Sequence, residues 1–349
     1  MVNIGIDCRL ASSPTGLGRY TREIVSELVL LDSGVKWTLF VNESIDWIPK
    51  SEFISNIVTT NIPHYSLYEQ IKFPRIIKKQ NLDLLFVPHF NVPLNCPVPF
   101  VATVHDLILH SYPNQSSLIK RLAYKKLLLS TVRKSKSLIA VSKYTADEIE
   151  KAYGSEAFKK TTVVSEAVNP IFKKQSEEDS KSILKKYGID KPFFMYIGNA
   201  KEHKNVNTLI QAFADAKIKD TELVLILSGP EAEKLKSPAE VKKIKNVADS
   251  DLPHIYSQAR AFVTASLYEG FCLPILEARS CGCPVIASNS TAIKELGAPG
   301  VLLVEPNIAA FAEAFKNFVA PDFVEPSNRL WKDVALETQS ILLQANQVQ

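Results

Sequence analysis

Asn169-Pro-Ile-Phe-Lys-Lys-Gln-Ser-Glu-Glu-Asp-Ser180 lies at mid-chain, and its polar, charged composition breaks a pattern that runs on both sides of it. Upstream, short apolar runs at Val2–Ile6, Trp37–Val41, Leu82–Val87, Phe100–Val104 and Leu138–Val141 alternate with helix-like stretches, the first around Arg19–Leu31. Downstream the alternation restarts, with apolar runs at Phe193–Ile197, Leu223–Leu227, Ala261–Thr264, Val285–Ala287 and Val301–Val304, and a helix-like stretch closes the chain over Asn328–Gln344. Short strands that are apolar throughout, alternating with helices, are the mark of parallel βαβ units covered on both faces. Ser142, followed by Asp147 and Glu148, reads as a helix N-cap with acids in the first turn. The mid-chain stretch is therefore a linker between two doubly wound, Rossmann-like α/β domains of similar size, 1–172 and 173–327, with a further helical segment over 328–349. Such domains face to face leave a cleft at the carboxyl ends of their strands, where open α/β sheets bind ligands.

The chain of 349 residues is long enough for about two domains. With 46% apolar and 22% charged residues, it is neither disordered nor fibrous. No apolar run approaches the ~20 residues needed to cross a bilayer. The start, Met1-Val-Asn-Ile-Gly-Ile-Asp7, has no basic region followed by a long apolar one, so no signal peptide is expected and the location is read as cytoplasmic. Five cysteines, at 8, 96, 272, 281 and 283, include no Cys-x-x-Cys pair, which favours reduced thiols over disulfides or structural zinc. Residues 1–175 carry 22 Lys and Arg against 15 Asp and Glu, whereas 176–349 carry 19 against 22. The basic half either meets an anionic partner or is simply well solvated.

Four strand-end loops are rich in polar residues or glycine. Thr15-Gly-Leu-Gly-Arg-Tyr20 opens a helix and lacks both the third glycine of a dinucleotide fingerprint and the Gly-Lys-Ser/Thr of a Walker loop, which leaves a tight turn or a phosphate or sugar site at Gly16 and Gly18. In Val104-His105-Asp106, His105 is placed to polarise a sugar hydroxyl or phosphate oxygen, or to be pinned by a backbone carbonyl. Gly198-Asn-Ala-Lys-Glu-His-Lys-Asn205 sets His203 and Lys204 at a helix start, a place suited to a diphosphate. In Tyr268-Glu-Gly-Phe-Cys-Leu-Pro-Ile-Leu-Glu277, Glu269 can reach sugar hydroxyls and Glu277, eight residues on, can accept from a ribose. Asp249-Ser-Asp251 has the spacing of a metal-binding acid pair, but it precedes Leu-Pro-His-Ile-Tyr, where helix capping accounts for it better. Ser117–Lys136 interleaves seven Lys and Arg with leucines, a pattern shared by a helix on an anionic membrane and one packed on its own sheet. No aromatic-basic module for nucleic acid is present.

Glu-Gly-Phe-x-Leu-Pro-x-x-Glu-Ala over 269–278, followed by Ser280-Cys-Gly-Cys-Pro-Val-Ile-Ala-Ser-Asn289, strongly resembles the retaining glycosyltransferases of family 4, which have the GT-B fold. Asp7-Cys-Arg, the Gly-Leu-Gly-Arg-Tyr loop, His-Asp-Leu, Ala-Val-Ser-Lys-Tyr-Thr and the 198–205 loop follow in the family's order, so the resemblance spans essentially the whole chain. It implies that Glu269 contacts the transferred sugar, that backbone N–H groups around Gly270, Phe271, Cys272 and Leu273 hold sugar or diphosphate, and that Glu277 binds the ribose. It further implies that Gly198, Asn199, His203 and Lys204 form the diphosphate loop, that His105 sits beside the donor sugar, that Gly16 and Gly18 line the cleft floor, and that the closing helix crosses back to the N-terminal domain. His203 stands where a common family form has Arg, and Asn199 where many members have another Arg, so the clamp carries less fixed charge and becomes pH-dependent if His203 titrates. Cys272 replaces the usual second glycine of the motif, and Lys245 stands where a glycine precedes the base-facing loop.

The implied activity is a metal-independent transfer of a hexose, of which mannose from GDP-mannose is the leading candidate, to a cell-envelope polysaccharide or lipid-linked glycan. The donor is a GDP-, UDP- or dTDP-sugar acting as substrate, and no cofactor is expected. A nucleotide-sugar epimerase of the same architecture and a non-catalytic sugar-nucleotide-binding subunit are the alternatives.

Overall fold

The computed structural model describes residues 2–13, 15–32, 34–42 and 45–347. Its contacts divide the chain into one unit of Met1–Glu166 with Leu330–Gln349, and a second of Ala167–Arg329. The first junction falls six residues before the expected 172. The reason is packing: the Phe172 ring lies 6.0 Å from that of Tyr256, and a Cβ on Gly282 would touch the Lys174 side chain, so this segment belongs to the second unit.

In the first unit, β1 (Val2–Asp7), β2 (Val35–Val41), β3 (Ile54–Thr59), β4 (Leu84–Val87), β5 (Phe100–Val104), β6 (Ser137–Ala140) and β7 (Thr161–Val163) form a parallel sheet in the order β3-β2-β1-β4-β5-β6-β7. In the second, β8 (Phe193–Asn199), β9 (Glu222–Ser228), β10 (Val241–Ile244), β11 (Ala261–Thr264), β12 (Val285–Ser288) and β13 (Val301–Val304) run parallel in the order β10-β9-β8-β11-β12-β13. The apolar runs read from the sequence correspond to ten of these strands. The other three, β3, β7 and β10, are edge strands, and their sequences Ile-Ser-Asn-Ile-Val-Thr, Thr-Thr-Val and Val-Lys-Lys-Ile are too polar to stand out. An edge strand is covered less completely than a central one, so its composition is less constrained.

Helices Leu67–Lys78, Leu118–Lys134 and Lys143–Tyr153 bury Phe73, Ile77, Tyr124, Leu128, Val132 and Ile149 in one core with β2, β4, β5 and β6, and so cover one face of the first sheet. The closing helix, Trp331–Gln347, belongs to this unit, with the Trp331 ring 5.6 Å from Tyr20 of helix Gly16–Leu28. Ser142 does cap its helix, accepting from the Thr145 N–H, but the first turn holds no acid; Asp147 lies beyond it and pairs with Lys143 at 2.6 Å. Helix Leu118–Lys134 divides along its length. Leu128, Thr131 and Val132 are buried on the sheet, whereas Leu118, Ile119 and Leu122 are exposed. All five cysteines are free thiols. Among the described residues no helix is long and apolar enough to cross a membrane.

At the carboxyl end of β1 a buried ionic group ties three segments together. Arg9 donates from Nε and Nη2 to Asp7 at 2.8 and 2.7 Å and from Nη2 to Glu69 at 2.8 Å, and its guanidinium lies 3.7 Å above the Phe73 ring. Asn91 adds bonds of 3.0 Å from Nδ2 to both Glu69 oxygens. Burial alone would raise both carboxyls. Arg9 reverses the sign at Asp7, and His64 together with Arg9 does so at Glu69, leaving both below the ordinary carboxylate range. Lowered carboxyl values stabilise the fold above the ordinary range, and that contribution is lost as the pH falls through the folded-state values. Arg9→Ala leaves two buried carboxylates without their cation and is expected to lower the unfolding free energy by about 3–5 kcal/mol in urea denaturation at neutral pH. A loss under about 1 kcal/mol would mean that these ion pairs add little to the fold.

Candidate active site

Where the strand order of a doubly wound sheet reverses, neighbouring loops diverge to opposite faces and leave a crevice at the carboxyl ends. In the second unit the reversal lies between β8 and β11. The loop after β8 carries Lys204 in a tight turn, Glu202–Lys204, closed by Asn205 in a left-handed conformation with φ +52°. Asn205 Nδ2 donates to the carbonyls of Ala265 and Pro306 at 3.1 and 3.3 Å, and the Leu267 N–H donates to the His203 carbonyl at 2.7 Å. These bonds fasten the β8 loop to the loops after β11 and β13 and bring Lys204 against Glu269. The Lys204 ammonium donates to both Glu269 carboxylate oxygens, at 2.6 and 2.8 Å.

Glu269 is fixed from two further directions. The Ser266 hydroxyl donates to its Oε1 at 2.8 Å, and its own N–H donates to Thr291 Oγ1 at 3.0 Å. The Ser266 carbonyl in turn accepts from the hydroxyls of Ser288, at 2.5 Å, and Ser290, at 2.7 Å. The Lys204 and Glu269 side chains remain 21% and 12% exposed, so this pair is held and still reachable. Together they offer a cation for phosphate and a carboxylate for hydroxyls within one ion pair.

Gly198, with φ +152°, must be glycine, because a Cβ there would stand 2.7 Å from the Tyr196 hydroxyl, which donates to the Asn199 carbonyl at 2.7 Å. Asn199 Oδ1 accepts from the Lys201 N–H at 3.2 Å and so helps to shape the loop. His203 is buried. Burial first, and then the Lys204 cation, pushes it down to about 4, so it is neutral at physiological pH and the condition for a pH-dependent clamp is not met. Gly270 is partly exposed and Phe271 is buried, and Cys272 has φ +88° in front of helix Leu273–Ser280. The left-handed region costs a residue with a Cβ about 1–2 kcal/mol, a penalty that a glycine in this position would not incur. Leu273 begins the helix, partly exposed. Glu277, one turn on, is 1% exposed and accepts from the Tyr256 hydroxyl at 3.0 Å, so its carboxylate is enclosed in the protein.

His105, Gly16 and Gly18 belong to the first unit. His105 is buried, with Nε2 3.0 Å from the Pro88 carbonyl, Nδ1 3.4 Å from Glu166 Oε1, and Tyr20 edge-on at 4.5 Å. Beside it, burial and the neighbouring His105 push His89 well below the ordinary histidine range. Gly18 is explained by packing, since a Cβ there would stand 2.0 Å from the Ser13 carbonyl, whereas a Cβ on Gly16 would meet open space. Asp251 does not cap its helix with its side chain. Its carboxylate accepts from Lys186 at 2.7 Å and Tyr187 at 2.8 Å. Among the described residues no three His, Cys, Asp or Glu side chains are grouped to hold a metal ion. Four further residues support the site residues named above: Ser266, Thr291, Tyr256 and Glu166. Each acts through a hydrogen bond or close polar contact to a singled-out residue, and no local motif marks them.

Two parallel doubly wound sheets, one in each unit, are the architecture of the GT-B fold. Glycosyl transferases group 1 matches residues 179–332, and Glycosyltransferase Family 4 matches residues 14–171. The chain belongs to glycosyltransferase family 4. It is 28% identical over 320 residues to O-antigen chain mannosyltransferase B of Escherichia coli, covering 84% of each chain. It is 26% identical over 348 residues to O-antigen chain mannosyltransferase RfbU of Salmonella typhimurium, covering 92% of each. Among solved structures, sucrose-phosphate synthase from Thermosynechococcus elongatus superposes with a TM-score of 0.73 at 20% identity, over 100% of this chain and 98% of that one.

Because His203 is already neutral, His203→Asn is expected to leave the shape of the pH profile of kcat/KM unchanged between about pH 6 and pH 8. An inflection lost from that range in the variant would show that His203 titrates there.

Proposed function

We propose that this glycosyltransferase moves a hexose, with mannose from GDP-mannose as the leading candidate, from a sugar nucleotide to a cell-envelope polysaccharide or lipid-linked glycan. Transfer retains the anomeric configuration and needs no metal ion. The observation that carries the reading is the held but reachable Lys204–Glu269 pair at the switch point of the second unit. The choice of sugar and acceptor rests on the relatives, two of which are named as O-antigen mannosyltransferases.

In this scheme the diphosphate competes with Glu269 for the Lys204 ammonium, and the released carboxylate accepts from sugar hydroxyls. Backbone N–H groups around Gly270, Phe271 and Cys272 add donors to the sugar or diphosphate. Glu277 takes the ribose hydroxyls once Tyr256 yields its place. The bond from the anomeric carbon to the phosphate oxygen breaks with its electron pair leaving on the diphosphate. The acceptor hydroxyl oxygen bonds to the anomeric carbon on the same face, and its proton passes to the departing phosphate oxygen. The enzyme's contribution is to position the partners and to stabilise the charge that gathers on the diphosphate.

Glu269→Ala and Lys204→Ala are each expected to lower turnover by about a hundredfold or more while leaving the circular dichroism spectrum unchanged. Full activity in either folded variant would remove that residue from the site. Transfer is expected to continue in excess EDTA, and complete loss that is restored by a divalent cation would overturn the metal-free scheme. A thermal-shift panel of GDP, UDP, dTDP and their sugars identifies the donor through stabilisation by the bound form. If donor incubated alone is converted to another nucleotide sugar, the protein is an epimerase instead.

A further inference from the structure

Two helices of the first unit share an arrangement that the transfer reaction does not use. A helix joining parallel strands runs back against them, so Leu67–Lys78 and Leu118–Lys134 both set out from the carboxyl edge of the sheet. They lie on the same face, since Phe73 and Ile77 of one and Tyr124, Leu128 and Val132 of the other enter a single core. Their first turns repeat one pattern. Leu67, Tyr68 and Ile71 are exposed on the first helix, and Leu118, Ile119 and Leu122 on the second, with Leu67 and Ile119 at 84% and 81%. A run of rings connects the two starts. Tyr65 lies 6.0 Å from His89, His89 4.2 Å from Phe90, and Phe90 5.1 Å from Tyr124.

The charge that these two helices expose has one sign. Lys72, Arg75 and Lys78 on the first helix, and Lys120, Arg121, Lys125, Lys126, Arg133 and Lys134 on the second, all reach solvent. Glu69, the sole acid in either helix, is buried against Arg9. Exposed aliphatic side chains at two helix starts, on helices whose exposed charges are all cations, match a surface that is anionic outside and hydrocarbon beneath. Nucleic acid would satisfy the cations but offers no place for Leu67, Ile71, Leu118, Ile119 and Leu122.

We propose that the two helix starts, at 67–71 and 118–122, form a two-pronged docking surface for an anionic lipid bilayer, with the apolar tips entering the headgroup region and the flanking Lys and Arg pairing with lipid phosphates. This narrows the basic segment 117–136 to its first two turns and adds a second prong that its charge pattern does not reveal. The proposal does not depend on the donor or acceptor assigned above, because its readout is vesicle binding and not transfer.

The test is co-sedimentation of the full-length protein with phosphatidylglycerol–phosphatidylcholine vesicles and with pure phosphatidylcholine vesicles. The expected result is binding to the anionic vesicles that weakens as salt is raised and is far weaker on phosphatidylcholine. Leu118→Ser with Ile119→Ser and Leu122→Ser, and separately Leu67→Ser with Ile71→Ser, should each reduce binding about tenfold or more. These side chains are exposed, so thermal midpoints should stay near that of the parent, and Lys120→Gln with Lys125→Gln and Lys126→Gln tests the cations with the apolar tips intact. Equal binding to both vesicle types, or unchanged binding by either apolar variant, would overturn the proposal. So would tight capture of a labelled single-stranded DNA by protein that ignores the vesicles.

Discussion

Parallel strands can be joined only by crossovers, and that one constraint organises both units. It sends every strand's carboxyl end to the same edge and every helix back from it, so the loops that leave the sheets are gathered along one border. Where the strand order reverses, beside β1 in the first unit and β8 in the second, the helices part to opposite faces and the loops lose their neighbours. Polar backbone and side chains in such a gap must satisfy one another. Each unit does so with an ion pair that ties together segments distant in sequence.

The two pairs differ in access, and that difference sorts them by role. Arg9, Asp7 and Glu69 have almost no exposed side-chain surface, and Asn91 covers the remaining side of Glu69. A ligand could reach them only by dismantling the loops around them. Lys204 and Glu269 are joined as tightly, but they keep an open side. The Ser266 hydroxyl holds the Glu269 carboxylate and Thr291 its backbone N–H, so a ligand arriving from solvent could displace Lys204 without releasing the carboxylate. An ion pair with one replaceable partner can exchange an internal contact for a substrate, whereas one sealed on all sides serves the fold.

What could be read from the chain follows from what constrains each segment. Central strands such as Phe100–Val104 and Ala261–Thr264 are covered on both faces and must be apolar throughout, so they stand out without any knowledge of their neighbours. The edge strands β3, β7 and β10 escape that demand and merge with loop sequence. The site loops were legible because a position just after a buried strand is itself informative, and the Glu269 motif is specific. Partners that lie far away in sequence left no mark: Glu69 is sixty residues from Arg9, and Thr291 is twenty-two from Glu269. Nor could sequence foretell that His203 would be buried and neutral, since that depends on which way a three-residue turn faces.

The closing helix bears on how the chain is made. Trp331, Val334, Ala335, Ile341 and Leu342 are buried parts of the first unit, yet they are translated after the whole of the second. While the ribosome is still extending the chain, residues 1–166 therefore exist as a sheet that lacks one of its covering helices, with an apolar face awaiting a segment more than 160 residues away. The second unit is continuous in sequence and can complete its own core first. The segment that closes the first-made domain thus emerges after the whole of the second, so the N-terminal half reaches its final packing only once residues 331–347 have been made.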